Sequence, residues 1–590
     1  MFQTFQDTAS PEQGPVRLKA LREAMLAEGV DGFIVPRSDA HQGEYVAPRD
    51  ERLAWLTGFT GSAGWCVALA DRAAVFVDGR YRVQVKAQVA PSFEKVDWPE
   101  TSLADWIGAA LPKGVVSFDP WLLSVDQLRG LEGKLEHDLR PCRNLVDAIW
   151  QDQPAPPMGA VFAQPVTLSG EPHEDKIARL AAGLGAAKVA VITLPDSIAW
   201  LLNIRGSDIP RNPVPHGFAL LHSDARVTLF MDAGKLEGVH EHFGPRVTLA
   251  APEAFEEALA ALEGPVQIDP GTCPVAVAKA LEGRDLIEAD DPCLLPKACK
   301  NAVELDGTRA AHLRDAAAMV RFLAWLDAEA PGDLTEISVV KRLEEERRAT
   351  NALRDISFET ISGSGPNGAI VHYRVTEATD RPLKEGELLL VDSGGQYVDG
   401  TTDITRTLAI GAVGREEAEA FTRVLKGMIA ISGLRFPKGL AGRDIDPFAR
   451  AALWQAGLDY GHGTGHGVGS YLSVHEGPAR ISRAGTVPFE PGMILSNEPG
   501  FYREGAYGIR IENLIVVEEA PDLPGQTVPQ MLRFETLTWV PIDRRLILTE
   551  LLTETERNWL NAYHAEVLEQ VAPLVDDVAG GWLSQACQSI

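Results

Sequence analysis

The chain has 590 residues, of which 45% are hydrophobic and 23% are charged, and its formal net charge at pH 7 is -28. This length is too great for one hydrophobic core and predicts about three or four domains. The acidic balance excludes nucleic acids and anionic membranes as partners, because both require basic protein surfaces. The first residues lack the basic and apolar regions of a secretory signal, and no apolar stretch reaches the roughly 18–20 residues that span a bilayer. We therefore expect a cytoplasmic protein.

The first third of the chain alternates between helical and strand patterns. Apolar residues at helical spacing predict a helix from Val16 to about Glu28, and the apolar run FIVP after it predicts a strand. Further strands are expected in WCVALA and AAVFVDGR, and further helices in SLADWIGAAL and SVDQLRGLEGKL. A proline-rich linker, QDQPAPPMG, follows. These features predict an α/β domain over residues 1–158.

A second α/β domain is expected over residues 159–304. The segment EDKIARLAAGLGAA predicts a helix and KVAVITLP predicts a strand. The sequence VITLPDSIAWLLNIRGSD repeats features of FIVPRSDA and the later RLAWLTGFTGS: a strand, a proline, an aspartate, then an apolar turn that closes on glycine. This weak internal repeat predicts that the first two domains are similar.

The third region, residues 305–590, begins with helices and continues with strands. Leu313, Ala316, Val320 and Leu323 form a helical stripe, and TEISVVKRLEEERR predicts a second helix. Helices over one face of an antiparallel sheet describe an α+β domain. A last helix is expected near Thr553, which has capping-box spacing to Glu556. We expect the extension over about 530–590 to serve packing or dimer contact rather than chemistry.

Five residues of the third region suggest a metal site: Asp392, Asp403, His466, Glu498 and Glu512. Each acid lies beside apolar residues, where a lone carboxylate is costly unless it is paired or bound to metal. Asp392 and Asp403 flank a Gly394-Gly395 turn signal and are expected to face each other across a hairpin, and a second hairpin would unite Glu498 with Glu512. A site this rich in carboxylates favours manganese or magnesium, and two ions about 3.5–4 Å apart would use all five groups.

Other polar residues invite weaker predictions. His462 and His466 have the spacing of a zinc-binding helix, but alternating glycines from Gly461 to Gly467 predict a loop. By the period of two along a strand, Arg510 should lie on the same face as Glu512. In DAHQGEY, Asp39, His41 and Glu44 resemble metal ligands, yet without a further cluster in that domain a structural or substrate-cleft role is expected. The six cysteines are scattered and form no CxxC pair, so inert thiols are expected.

The order of the five proposed ligands, with the second aspartate eleven positions after the first, resembles the pita-bread metallopeptidases. The segments SGSGPNGAIVHY, VDSGGQYVDGTTDITRT, HGTGHGVGSYLSVHEGP, SNEPGFY and GIRIENL look most like the long, three-domain, cytosolic type of Xaa-Pro aminopeptidase, and DAHQGEY, VDGRY and AWLLNIRGSD extend the likeness over nearly the whole chain. The resemblance implies two creatinase-like N-terminal α/β domains followed by a C-terminal pita-bread catalytic domain.

The resemblance also implies roles for residues. The enzyme would hydrolyse the first peptide bond of peptides with proline second, using two divalent ions per subunit, with manganese expected and zinc or cobalt as alternatives. Asp403 and Glu512 would bridge the ions, Asp392 would bind one of them, and His466 and Glu498 the other. Glu498 would also shuttle a proton. His372 would hold the peptide, His475 would stabilise the tetrahedral intermediate, and His462 would form the proline pocket; Arg80 and Arg510 would contact substrate, with a plain salt bridge as the alternative for Arg510.

Three alternatives stay open. Prolidase would use the same metals on Xaa-Pro dipeptides only, but the long front half of this chain disfavours it. Methionine aminopeptidase needs no such front half. A pita-bread protein that only binds peptides is the non-enzyme alternative, and it should have lost metal ligands that are all present here. The family further favours a homodimer.

Overall fold

Two six-stranded sheets occupy the first half of the chain, and the structure, a computed structural model, describes residues 1–590. The chain divides into an N-terminal unit of residues 8–294 and a C-terminal unit that joins residues 1–7 to residues 295–590. No helix combines the length and apolar character needed to cross a membrane.

The N-terminal unit contains fourteen strands and ten helices. The strands are β1 Gly32–Pro36, β2 Trp65–Leu69, β3 Ala73–Val77, β4 Glu94–Asp97, β5 Val115–Phe118, β6 Asp138–Pro141, β7 Phe162–Ala163, β8 Val189–Ile192, β9 Ile204–Arg205, β10 Phe218–His222, β11 Val227–Phe230, β12 Val247–Ala250, β13 Val266–Ile268 and β14 Leu286–Glu288. The helices are α1 Gly14–Glu28, α2 Arg52–Thr57, α3 Gln84–Gln88, α4 Leu103–Ala110, α5 Val125–Glu132, α6 Val166–Ser169, α7 His173–Ala182, α8 Pro195–Leu201, α9 Phe255–Ala260 and α10 Val275–Ala280.

The internal repeat predicted from sequence appears as one topology used twice. The first sheet has the order β4-β3-β2-β1-β5-β6 and the second β12-β11-β10-β8-β13-β14. In the first sheet β1 pairs antiparallel with β2 and parallel with β5. In the second sheet β8 pairs in the same way with β10 and β13. Equivalent segments also join the two copies, because the Val125 amide donates to the Cys273 carbonyl and the Val275 amide donates to the Leu123 carbonyl. The two N-terminal α/β folds are thereby confirmed.

The C-terminal unit contains the remaining elements. The helices are α11 Leu294–Ala298, α12 Ala302–Glu329, α13 Glu336–Arg348, α14 Arg415–Ser432, α15 Gly442–Trp454, α16 Glu554–Val571 and α17 Asp577–Ala586. The strands are β15 Asp355–Ile356, β16 Ile361–Ser364, β17 Glu387–Ser393, β18 Gly395–Tyr397, β19 Gly400–Thr401, β20 Ile404–Ile410, β21 Arg435–Pro437, β22 Gly465–Gly467, β23 Glu476–Ile481, β24 Ile494–Asn497, β25 Gly500–Arg503, β26 Tyr507–Arg510, β27 Asn513–Glu519 and β28 Met531–Thr536.

Antiparallel sheets carry the C-terminal unit, as expected for an α+β domain. One sheet has the order β16-β17-β20 and a larger one β21-β28-β27-β24-β22-β23. The main apolar core lies between β17, β20 and helices α12, α14, α16 and α17. The predicted stripe of α12 is buried at Ala316, Val320 and Leu323, and the capping box of Thr553 and Glu556 begins α16 as predicted.

Candidate metal centre

Two pairs of strands bring the four predicted acids together. Asp392 lies in β17 opposite Thr405 of β20, and Asp403 immediately precedes β20. β17 and β20 form the expected hairpin, but Asp392 lies opposite Thr405, two residues beyond Asp403, and the connection contains the additional pair β18 and β19. The second hairpin exists as predicted: β25 pairs with β26, and Asn497 pairs with Asn513, so Glu498 and Glu512 are the next residue of each strand.

His466 lies in β22 and faces the acids. Its Nε2 atom is 3.5 Å from Asp403 Oδ2 and 3.5 Å from Glu498 Oε1. Its Nδ1 atom is 2.9 Å from the carbonyl oxygen of Gly467. A proton on Nδ1 would be donated to that carbonyl, which leaves the Nε2 lone pair directed at the acids, as in a histidine that binds metal. Ser496 supports this arrangement, because its hydroxyl accepts from the His466 amide and donates to Glu498.

The acids bring together more negative charge than the ion pair of Arg510 with Asp392 can balance. Burial, followed by repulsion from Asp392 and Glu498, raises the pKa of Asp403 well above its ordinary value. Burial and the charge of Asp403 do the same to the pKa of Glu512. Three buried oxygens have no hydrogen-bond partner: Asp392 Oδ1, Asp403 Oδ1 and Glu512 Oε1. Such groups are costly unless a cation joins them.

These residues fit divalent metal. Ligand atoms of Asp403, His466 and Glu512 lie within 4.8 Å of one another. The unpartnered oxygens supply hard ligands, and the oriented imidazole supplies a nitrogen. The donor set contains no thiolate, which disfavours copper(I) and structural zinc. The arrangement can therefore hold metal ions and bring a substrate carbonyl and water to them.

Arg510 lies near Glu512, as expected, but reaches that acid only through the hydroxyl of Thr405. Its Nη2 atom donates to Asp392 Oδ2 at 2.6 Å, and its Nε donates to the hydroxyl of Thr405. Thr405 in turn donates to Glu512 at 2.8 Å. The salt-bridge alternative thus describes Arg510, which is fully buried and holds two ligands of the metal centre through its own hydrogen bonds.

The three histidines proposed for the substrate cleft occupy loops. The ring of His475 lies 4.3 Å from the ring of His466, so it borders the metal centre. His462 lies in a loop as predicted, and its Nε2 is 2.9 Å from the hydroxyl of Tyr502, which accepts a hydrogen bond from Arg510. His372 follows a turn whose Gly368 backbone packs against Gly508 of β26.

The remaining predicted residues belong to the N-terminal unit. Arg80 forms ion pairs with Asp78 at 2.7 Å and with Glu44 at 3.6 Å. Asp39 accepts hydrogen bonds from the His41 and Gly43 amides, and its second oxygen is 3.3 Å from His216 Nε2. Glu44 therefore faces Arg80, whereas Asp39 lies against His216.

Sequence reasoning missed the residues that support the ligands. Thr405 and Tyr502 accept hydrogen bonds from Arg510, and the only hint in the sequence was that they follow predicted ligands, by two residues after Asp403 and four after Glu498. Arg406 donates to the Glu512 carbonyl and to the hydroxyl of Tyr563 in α16. Helix α16 thus contacts the backbone of Glu512 through Arg406, and no local sequence signal connects residues so far apart.

Comparison with protein families divides the chain into two N-terminal regions and a metallopeptidase region with a C-terminal extension. Residues 306–519 match metallopeptidase family M24, and residues 530–590 match the C-terminal region of that family. Residues 17–149 and 152–304 each match a creatinase/prolidase N-terminal domain. All five proposed ligands lie within the stretch that matches the metallopeptidase family.

Relatives match over nearly their whole length. A protein from Laccaria bicolor named "Probable Xaa-Pro aminopeptidase P" is 40% identical over 600 residues, covering 97% of this chain and 93% of the relative. A Coccidioides posadasii protein of the same name is also 40% identical and covers 97% and 99%.

Solved structures agree with these relatives. An X-prolyl aminopeptidase from Caenorhabditis elegans, described as a cytosolic enzyme with a dinuclear active site, superposes with a TM-score of 0.92 at 33% identity, covering 98% of this chain and all of that one. A Bacillus anthracis Xaa-Pro dipeptidase covers only 63% of this chain, with a TM-score of 0.52 and 23% identity, and shows the fold alone. The chain belongs to the Xaa-Pro aminopeptidase P family of the M24 metallopeptidases.

Proposed function

We propose that this protein is a metal-dependent aminopeptidase that releases the first residue of peptides whose second residue is proline. The observation that carries the proposal is the buried acid cluster with three unpartnered oxygens, in a chain whose relatives bear that activity in their names. The Xaa-Pro dipeptidase above is covered over 99% of its length yet matches only 63% of this chain. The doubled front half therefore favours an aminopeptidase over a dipeptidase.

The ligand residues would hold two divalent ions. Asp392, Asp403, His466, Glu498 and Glu512 would bind them, with Asp403 and Glu512 shared, and manganese is the expected metal with zinc or cobalt as alternatives. When bound, the ions would polarise the scissile carbonyl as Lewis acids and would lower the pKa of water so that it can attack as hydroxide near neutral pH. This fits the raised pKa values of Asp403 and Glu512, because metal would replace the protons that these acids otherwise retain.

The other residues would bind and orient the peptide and move a proton. His475, whose ring lies 4.3 Å from that of His466, would donate a hydrogen bond to the oxygen on which charge develops. Glu498 would carry a proton to the departing proline nitrogen, which is tertiary in the substrate and cannot leave unprotonated. His372 would hold the peptide backbone, and His462 would line the proline pocket, held by Tyr502. Arg80 would contact the substrate, whereas Arg510 would act through Asp392.

The broader organisation is part of the proposal. Domain limits at residues 1–158, 159–304 and 305–590, with an extension from about 530, agree with the two sheets of the N-terminal unit and with the matched family regions. A cytoplasmic homodimer is proposed from the family resemblance. The partners would be proline-containing peptides, with no nucleic acid or membrane, as expected for a chain of net charge -28.

The test compares a Xaa-Pro-Xaa tripeptide with a matched Xaa-Ala-Xaa tripeptide and a Xaa-Pro dipeptide. Chelator-stripped protein is assayed with and without added manganese, beside Asp403→Ala and the control Asp399→Ala, which loses only an ion pair with Arg314. Manganese-dependent release from the proline tripeptide, lost in Asp403→Ala alone, supports the proposal. Cleavage of the dipeptide only would replace it with a dipeptidase, and metal binding without any cleavage would favour a peptide-binding protein.

A further inference from the structure

A buried cluster of three charges lies directly behind His475. Glu476 is 3% exposed, and the ammonium groups of two lysines from one short segment meet its carboxylate: Lys297 Nζ is 3.1 Å from Oε2, and Lys300 Nζ donates to Oε1. Lys297 is 1% exposed and Lys300 6%. Desolvating several charges often costs as much as their attraction returns, so such a cluster is poor evidence of stabilisation and invites a different explanation.

The lysine segment is itself fixed to the strand that leads to a proposed ligand. The backbone of Cys299 forms an isolated antiparallel β-bridge with that of Met493, and the Lys300 amide donates to the Gly492 carbonyl at 3.0 Å. Gly492 has φ +90°, and a Cβ atom there would lie 2.6 Å from the Lys300 carbonyl oxygen, so no larger residue fits this approach. The segment thus moves with β24, which ends one residue before Glu498.

The backbone of Glu476 is fixed to the strand of another proposed ligand. Glu476 pairs with Gly467 across a bulge between His466 and Gly467. A Cβ atom on Gly467 would lie 2.2 Å from the Glu476 carbonyl oxygen, so the two chains touch at this point. β-bulges often aim a side chain beside an active site. Here the bulge lies at His466, whose ring the His475 ring meets edge-on at 4.3 Å.

His475 lies in a bend directly before Glu476, which is the first residue of β23. Val474 and Glu476 are buried on either side of His475, which is itself half-buried. With its two neighbours anchored, His475 has little freedom to turn away from the metal centre. The Lys297–Glu476–Lys300 cluster therefore links the lysine segment, β22 and His475 into one rigid piece.

We propose that Glu476, held by Lys297 and Lys300, is a positioning residue that sets the His475 side chain against the metal centre during catalysis. This inference rests on the proposed function, because it is expressed through hydrolysis of Xaa-Pro peptides. An active-site group displaced by about 1 Å can cost on the order of 100-fold in rate, so an anchor of this kind matters without touching the substrate.

The primary test is a double-mutant cycle of Glu476→Gln and His475→Ala on a Xaa-Pro-Xaa tripeptide with manganese. We expect Glu476→Gln to lower kcat by about 10- to 100-fold with little change in KM and unchanged metal content, because the oxyanion contact of His475 is made in the transition state. In the His475→Ala background the same change should cost less than about twofold, since residues that act through one another are non-additive.

A second variant covers the case in which Glu476→Gln fails to fold. Lys300→Met keeps the ion pair between Lys297 and Glu476, so one positive and one negative buried charge remain while one anchor is lost. We expect a several-fold fall in kcat that also vanishes in the His475→Ala background. The control is Lys235→Met, which removes a comparably buried partner of Asp208 in the N-terminal unit and should lower thermal stability without changing kcat.

The outcomes separate the two proposals. If the wild-type protein does not cleave the tripeptide, the proposed function fails. If it does, and both variants lose kcat equally with and without His475, the positioning role is contradicted. The positioning role is also contradicted if activity falls only in proportion to lost metal or folded protein, since that is the result of a purely structural cluster.

Discussion

Two buried groups of carboxylate and imidazole side chains, one in each unit, differ in how their charge is balanced. In the N-terminal unit Asp39 meets two histidines; although burial would raise its pKa, the contacts with His216 and His41 and the Gly43 amide hold that pKa well below its ordinary value. Burial lowers the pKa of His41 to about 3, so this imidazole is neutral at pH 7. A single acid that accepts from two backbone amides and lies against two imidazoles keeps its charge without a metal ion.

The C-terminal unit combines the same residue types with the opposite result. Four acids and His466 surround a site in which Arg510 is the cation that contacts an acid, Asp392, and the pKa values of Asp403 and Glu512 are raised. Residue type and burial therefore do not identify a metal centre by themselves. Unbalanced buried charge does identify one, because it destabilises the metal-free protein and a bound metal ion removes that destabilisation.

The largest effect should separate the two clusters by activity. Asp403→Asn removes a proposed shared ligand and should lower kcat/KM by about 1,000-fold or more, the size expected when several kcal/mol of Lewis-acid stabilisation are lost. Asp39→Asn should change kcat/KM by less than about tenfold in correctly folded protein. Steady-state kinetics with manganese measure both. Equal losses in the two variants would remove the distinction between the clusters.

A third buried acid sharpens the comparison, because the groups that hydrogen-bond to Glu336 are neutral. Its carboxylate accepts from the Ser364 and Arg381 amides, Asn367 and the Tyr373 hydroxyl, yet burial raises its pKa to about 7. Neutral donors alone thus do not offset the cost of desolvation.

The raised pKa of Glu336 predicts that the unfolding free energy of the protein falls as pH rises. The folded state retains the proton more strongly than the unfolded state, so stability from this group is present below about pH 4.5 and lost as pH rises through about 7. Relative to Glu336→Gln, the unfolding free energy of the wild type should fall by about 3 kcal/mol between pH 4 and pH 8. Urea unfolding of both proteins across this range measures the difference. A difference that stays constant or rises with pH contradicts the prediction.

The metal-free stabilities of the Asn variants should change in opposite directions. In chelator-stripped protein at pH 7, Asp403→Asn relieves repulsion and should raise the unfolding free energy. Asp39→Asn leaves buried donors poorly matched and should lower it by about 2 kcal/mol. Denaturant titration with chelator present decides the signs. Two changes of the same sign would show that the acids of the metal centre are balanced without metal.

The smallest effect concerns the hydrogen bonds that hold the ligands. Tyr502→Phe removes the hydroxyl that joins Arg510 to His462 and should lower kcat/KM by about tenfold, as for other supports of metal ligands. The matched control is Tyr507→Phe on the same hairpin, whose hydroxyl reaches only Glu416 at 3.2 Å. Equal activity of the two variants would mean that the Tyr502 hydroxyl does not support the centre.

The parts predictable from sequence were those with local signals. The strand that ends on Asp392, the glycine-marked hairpin before Glu512 and the loop around His462 follow from apolar runs and turn residues. The repeated N-terminal topology followed from a short repeat. Each of these depends on residues close together in the chain.

The parts that escaped prediction depend on contacts between distant segments. The connection between β17 and β20 contains β18 and β19, so Asp392 lies opposite Thr405 rather than Asp403, and turn residues alone do not encode this offset. The pairing of Arg510 with Asp392 bridges 118 positions, and strand periodicity, which related Arg510 only to Glu512, could not reveal it. His216 completes the Asp39 cluster from the second sheet's domain, and nothing beside it in sequence marks that contact.

Metal binding by the C-terminal acid cluster is tested most directly by calorimetric titration of chelator-stripped protein with manganese. We predict saturable binding of two ions per chain in the wild type and in Asp39→Asn, with fewer than two in Asp403→Asn. No saturable binding in the wild type, or the same stoichiometry and affinity in Asp403→Asn, would contradict the assignment of this cluster as a metal centre.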